Sequence, residues 1–153
     1  MPNTYTQIHI QAVFAVQNRQ SLIDPEWKND LYKYITGIIQ SYDHKVLQIN
    51  GMPDHIHILF GMRTTQSLSD LMKQVKQDSS KWINSKGLIN GKFSWQEGYG
   101  AFSYSKSHIP RVIRYIANQE EHHKTKTFGN EYVKLLKESG IEYDERYILK
   151  PIL

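Results

Sequence analysis

The spacing of apolar residues switches repeatedly between two periods along this chain, and the order of those switches restricts the fold more than any single residue does. Residues 5–16 alternate loosely and are rich in β-branched and aromatic side chains (Ile8, Ile10, Val13, Phe14), the pattern of a strand. Asp24-Pro25 then opens a helix, with Asp24 as N-cap and Pro25 at its first position. Trp27, Leu31, Tyr34, Ile35, Ile38 and Ile39 keep helical spacing behind it. Residues 45–50 and 55–61 read as strands on either side of Gly51-Met52-Pro53-Asp54, a hairpin turn. Ser67 and Asp70 resemble a capping box, and Leu68, Leu71, Met72, Val75, Trp82 and Ile83 form the core stripe of the next helix.

A Gly/Asn/Ser loop over 84–91 leads to a strand-like stretch, 93–105, bent at Gly98-Tyr99-Gly100. Ser107 is expected to cap a helix running to about His123, with Pro110 tolerated in its first turn. Residues 131–139 read as a short helix ended by Gly140, with an extended tail from Ile141. The order β-α-β-β-α-β, then helices, predicts an α+β fold of ferredoxin-like or RRM-like plan. That plan is an antiparallel sheet with helices on one face, joined here by a C-terminal helix bearing Tyr115. No repeat or linker interrupts it, so residues 1–153 read as one domain.

Composition narrows the chemistry. With no cysteine, the chain has no disulfide framework, thiolate zinc site or cysteine nucleophile. No stretch reaches the roughly 18 apolar residues needed to span a bilayer, and Met1 to Thr6 lack the layout of a signal peptide. A cytoplasmic protein without a membrane partner, nucleoid-associated when acting, is the expectation. Positive charge is concentrated: residues 63–126 carry 11 basic and 5 acidic side chains, whereas 1–62 and 127–153 carry 4 basic and 5 acidic each. Such a segment suits a polyanion, and it equally suits an ordinary solvated helix surface.

Two local features carry chemistry. In His55-Ile56-His57 the alternation of a strand sends both imidazoles to one face and Ile56, Ile58 and Phe60 to the other. Two such imidazoles can converge on a divalent metal, and two hydrogen-bonded histidines would produce the same pattern. On the predicted helix after Ser107, the residues Arg111, Tyr115, Gln119 and His122 share a stripe beside the apolar Ile109, Val112, Ile113 and Ile116. Tyr115 thus sits at the border of the core, either as an amphipathic packing residue or as a nucleophile beside a metal that polarises a phosphate.

Taken together, these residues resemble a known family. His55-Ile56-His57 resembles the His-hydrophobic-His (HUH) signature of HUH endonucleases, and Tyr115-x-x-x-Gln119 resembles the tyrosine–glutamine helix of their single-tyrosine insertion-sequence transposases. Val13-Phe14-Ala15 with Asn18-Arg19, the lead-in Met52-Pro53-Asp54, and the run from Trp95 to Phe102 are similar to other parts of that family. The resemblance implies that His55, His57 and Gln119 bind one Mg²⁺ or Mn²⁺. It also implies that Tyr115 attacks single-stranded DNA, keeping the 5′ side of the break and releasing a 3′-hydroxyl. It further implies hairpin recognition at element ends, and a homodimer whose composite sites pair the tyrosine helix of one subunit with the histidines of the other.

DNA contact is expected from Lys73, Lys76 and Lys81 on one helix and from Arg111 and Arg114 near the tyrosine, with Lys86, Lys92, Lys124 and Lys126 nearby. Tyr99, Phe102 and Tyr104 are candidates for base stacking or for packing. Asp54 either assists the metal or shapes the turn. Three rival readings share this sequence. One is a non-catalytic RRM-like nucleic-acid-binding module, another a metal-dependent phosphodiesterase using activated water. The third is a domesticated relative that processes chromosomal repeats.

Overall fold

The computed structural model describes residues 3–144. Four antiparallel strands, β1 (His9–Ala15), β2 (Lys45–Met52), β3 (His55–Gly61) and β4 (Gly100–Tyr104), form one sheet in the order β2-β3-β1-β4. Helices α1 (Lys28–Ser41) and α2 (Leu68–Ser85) cover one face. The other face is covered by α3 (Ile109–Ala117), the single turn α4 (Gln119–His122) and α5 (Phe128–Glu138). This is the ferredoxin-like plan with an extra helical layer. Among the described residues no helix is long and apolar enough to cross a membrane.

Pleating of the two central strands divides the molecule. Ala12, Phe14, Ile56, Ile58 and Phe60 point toward α1 and α2 and pack against Leu31, Ile35, Ile39, Leu71, Met72, Val75 and Ile83. The register pairs Ala15 with His55, Val13 with His57 and Gln11 with Leu59, and the side chains of all six turn to the opposite face. Gly51 allows β2 to follow β3 closely, because a Cβ there would lie 2.1 Å from the His55 carbonyl oxygen.

Several boundaries differ from the sequence reading. Asp24 accepts from the Glu26 amide at 2.8 Å and caps an irregular turn, so the regular helix begins only at Lys28. The hairpin turn shrinks to Pro53-Asp54, since β2 runs to Met52. The stretch 93–105 yields only β4 as strand. Before it, Trp95 bridges to Val16, and the chain turns at Gly98 (φ 83°). The Ser67 cap forms as expected, its Oγ accepting from the Asp70 amide at 3.1 Å.

The expected helix over 107–123 is broken. Ser107 provides no cap. A short 3₁₀ turn (Lys106–His108) precedes α3, and Asn118 (φ −99°, ψ 27°) separates α3 from α4. The reason is tertiary. Asn50 on β2 donates its Nδ2 to the carbonyls of Ile116 and Ala117 at 3.0 and 3.1 Å, satisfying the end of α3 in place of a further helical turn. The last helix starts earlier than 131, because Thr127 Oγ1 accepts from the Asn130 amide at 3.2 Å and caps α5. The expected extended tail beyond Asp144 lies outside the described residues.

Candidate active site

On the α3–α5 face the two histidines of β3 are fully buried. The atom at their centre belongs to a residue that sequence reasoning did not single out. Glu131, in the first turn of α5, is 4% exposed, and its Oε1 lies 3.0 Å from His57 Nε2, 3.3 Å from His55 Nε2 and 3.0 Å from His123 Nε2. Its other oxygen, Oε2, accepts from the Tyr115 hydroxyl and, at 3.0 Å, from Gln119 Nε2. Gln119 Oε1 in turn lies 2.9 Å from His55 Nε2. Tyr115, His55, His57 and Gln119 therefore meet around one carboxylate within a single chain, despite the break at Asn118.

A signal for Glu131 was present in the sequence. Phe128, Tyr132, Leu135 and Leu136 form the apolar stripe of α5, and Glu131 occupies a position on that stripe. A carboxylate aimed into a core persists only when it is paired.

The outer nitrogens of the histidines are also held. Asp54 Oδ1 stands 2.7 Å from His55 Nδ1, which must donate to it. Asp54 thus both shapes the turn and orients an imidazole. Gln11 Nε2 is 2.8 Å from His57 Nδ1, and Gln11 Oε1 accepts from the Tyr104 hydroxyl at 2.8 Å.

The charges respond strongly to this packing. Burial opposes the charged form of His55, but hydrogen bonds with Asp54 and Glu131 outweigh it and push the imidazole up to about 9. For His57 burial wins over Glu131, and its value falls to about 4. Burial also works against the Glu131 carboxylate, yet hydrogen bonds from His123, His55 and His57 hold it far below the usual carboxylate range. Tyr115 is driven well above the ordinary phenol value, first by burial and then by its bond to Glu131. The hydroxyl is therefore held as a neutral phenol.

The donor set fits a divalent cation. One atom from each of His55, His57 and Glu131 lies within 4.8 Å of the others, and all three residues are buried. Because Asp54 occupies the outer nitrogen of His55, its Nε2 faces two oxygens, and only a second proton or a cation satisfies that arrangement.

A cavity of about 250 Å³ opens in front of Tyr115, lined in part by Arg111, His108, His122, Lys126, Lys134 and Glu131. Lys126 and Lys134 approach one another closely enough that Lys134 lowers the Lys126 value. The other expected DNA contacts are scattered. Arg114 is exposed on α3, while Lys73 and Lys81 are exposed on α2, behind the sheet from the histidines. Lys76 is half-buried, and its Nζ donates to the carbonyls of Gln96 and Gly98 at 2.6 and 2.5 Å. Burial lowers it to about 8, against an opposing pull from Glu97. Of the aromatic candidates, Phe102 is core, Tyr104 is engaged with Gln11, and Tyr99 is 36% exposed.

Fold and cluster together define a class, an α+β protein whose central strand carries a buried histidine pair facing a tyrosine helix. The IS200-like transposase family profile matches residues 4–119, and the chain belongs to that family of single-tyrosine HUH transposases. It is 22% identical over 120 residues to the ISDra2 transposase TnpA of Deinococcus radiodurans, covering 75% of this chain and 86% of that protein. A solved structure of a candidate transposase from Deinococcus radiodurans R1 superposes with a TM-score of 0.62 at 20% identity, over 78% of this chain and 95% of that one. A REP-associated tyrosine transposase bound to a REP hairpin superposes with a TM-score of 0.60 at 13% identity, over 80% and 73%.

Proposed function

We propose that this transposase cleaves and rejoins single-stranded DNA at hairpin-flanked element ends through a 5′-phosphotyrosine bond at Tyr115. His55, His57 and Gln119 would hold Mg²⁺ or Mn²⁺. The observation that carries this reading is the convergence of the Tyr115 hydroxyl and both histidine Nε2 atoms on the one carboxylate of Glu131. A nucleophile and a cation site that share a carboxylate are close enough to act on one phosphodiester.

The basic mouth in front of Tyr115 suits a phosphate, with Arg111, Lys126 and Lys134 offering donors to its oxygens. Attack by the Tyr115 oxygen on phosphorus displaces the 3′ oxygen of the preceding nucleotide, which leaves as a 3′-hydroxyl with a proton from water. Glu131 Oε2, the hydrogen-bond acceptor of the phenol, orients it for attack, and the Tyr115 proton passes to water in the cavity mouth. The bound cation would polarise the phosphate and stabilise the charge that develops on its oxygens. Rejoining is the reverse step, with an incoming 3′-hydroxyl attacking the phosphotyrosine and Tyr115 recovering its proton.

Lys73 and Lys81 lie behind the sheet, so in this reading they bind DNA away from the break, such as the stem of a hairpin. The resemblance implies a homodimer with composite sites, whereas the contacts within one chain favour a site built from a single chain. Mixing Tyr115→Phe and His55→Ala chains should then restore no activity, and rescue would mean that the sites are shared.

The test is direct. Single-stranded oligonucleotides carrying a hairpin are incubated with the protein and Mn²⁺ and resolved under denaturing conditions. A covalent adduct retaining the label of the 3′ fragment, mapped to Tyr115 by mass spectrometry, is the expected result. Cleavage without an adduct would point to an activated water, and binding without cleavage to an inert module.

A further inference from the structure

We propose that Glu131 is a fourth ligand of the divalent cation assigned above to His55, His57 and Gln119, and the one that supplies negative charge. The inference rests on that metal reading and extends it beyond the family match, which ends at residue 119, twelve positions before Glu131.

Geometry carries the proposal. Oε1 of Glu131 stands 3.0 Å from His57 Nε2 and 3.3 Å from His55 Nε2, so a carboxylate oxygen lies where both imidazoles point. Chemistry adds to it. Two neutral imidazoles and an amide oxygen form a site without charge, and cations such as Mn²⁺ and Mg²⁺ favour anionic oxygen. Asp54 is the other carboxylate at hand, but it is spent on the outer nitrogen of His55.

Positioning is also accounted for. Gln119 Nε2 and the Tyr115 hydroxyl fix Oε2, while His123, anchored through Nδ1 to the Lys126 carbonyl at 2.8 Å, approaches Oε1 from the side. A carboxylate held in this way connects cation and nucleophile. Oε1 meets the cation while Oε2 keeps the phenol oriented, so α5 becomes part of the active site and not only a cover over it.

The competing possibility is an internal ion pair, in which Glu131 merely neutralises the histidines and a cation would displace it. Mn²⁺ binding to the full chain separates the two. Glu131→Gln preserves size and hydrogen bonding but removes the charge, and it should weaken Mn²⁺ binding, read by calorimetry or electron paramagnetic resonance, at least about tenfold. His57→Ala should weaken it too. In the unmodified protein, Mn²⁺ should slow amide hydrogen exchange across residues 128–138.

Wild-type affinity in Glu131→Gln, with His57→Ala impaired, would overturn the role of Glu131 and leave the metal reading standing. No Mn²⁺ binding by the unmodified chain would remove both. Exchange in 128–138 that is unchanged or faster with Mn²⁺ would overturn the proposal even if Glu131→Gln failed to fold.

Discussion

The two faces of the central sheet are built from the same strands and do opposite work. Toward α1 and α2, β3 presents Ile56, Ile58 and Phe60 to a continuous apolar core. Toward α3–α5, the intervening residues His55 and His57 enter a buried polar network of Glu131, Gln119, Gln11, Asp54 and Tyr115. The first face gains stability from area removed from water. The second places His55, His57, Tyr115 and Glu131 where burial penalises their charged forms, and it holds only because every named member has a partner. The apolar side therefore serves as a rigid floor, and the polar side stores groups whose protonation is displaced from ordinary values.

Mutations can break that division, and the largest effect is expected at the nucleophile. Tyr115→Phe should reduce cleavage by at least about 10⁴-fold. It removes one hydrogen bond to a carboxylate, so the stability cost should stay near 2 kcal/mol or below. Single-turnover cleavage beside urea melting checks both numbers, and a mutant that still forms the adduct would move the nucleophile elsewhere.

Next in size is the floor. Ile58→Ala, one residue from His57 but pointing the other way, should cost about 3 kcal/mol through the cavity it leaves. The fraction that remains folded should keep its Mn²⁺-dependent cleavage. Cleavage lost in proportion beyond unfolding would show that the two faces are not separable.

Removing the orienting carboxylate is a smaller change on the polar side. Asp54→Ala should lower Mn²⁺ affinity about 10- to 100-fold, because His55 loses the partner that fixes its ring. Calorimetry that finds full affinity would make Asp54 a turn residue only.

The smallest effect belongs to the lysines of α2. Lys73→Ala with Lys81→Ala should flatten the slope of log affinity against log salt by about 1.8 for hairpin DNA, the contribution of two phosphate contacts to its duplex stem. Lys76→Met should leave that slope nearly unchanged and instead speed amide exchange across residues 96–100, where its ammonium holds the carbonyls of Gln96 and Gly98. Equal slopes for all three lysines would return Lys76 to the DNA surface.

Much of this was legible in one dimension. The two apolar periods reported the strand and helix order, and the alternation in His55-Ile56-His57-Ile58 reported which side chains share a face. Local chemistry also showed itself at Ser67, whose hydroxyl caps α2. Boundaries set by distant partners were not legible. The break at Asn118 comes from Asn50, 68 positions earlier in the chain, taking up the last carbonyls of α3. Similarly, Lys76 has the spacing of a solvated helix face, and only the returning loop at Gln96–Gly98 captures it.

The sequence by itself therefore determined the sheet plan and the face on which the histidines lie, because side-chain direction in strands follows from local backbone geometry. The tertiary structure alone decided that Glu131 stands between the histidines and the tyrosine. That contact joins residues 74 apart in the chain at Glu131 and His57. It depends on how α5 docks across the sheet, and docking is settled by the whole buried surface, not by any local spacing.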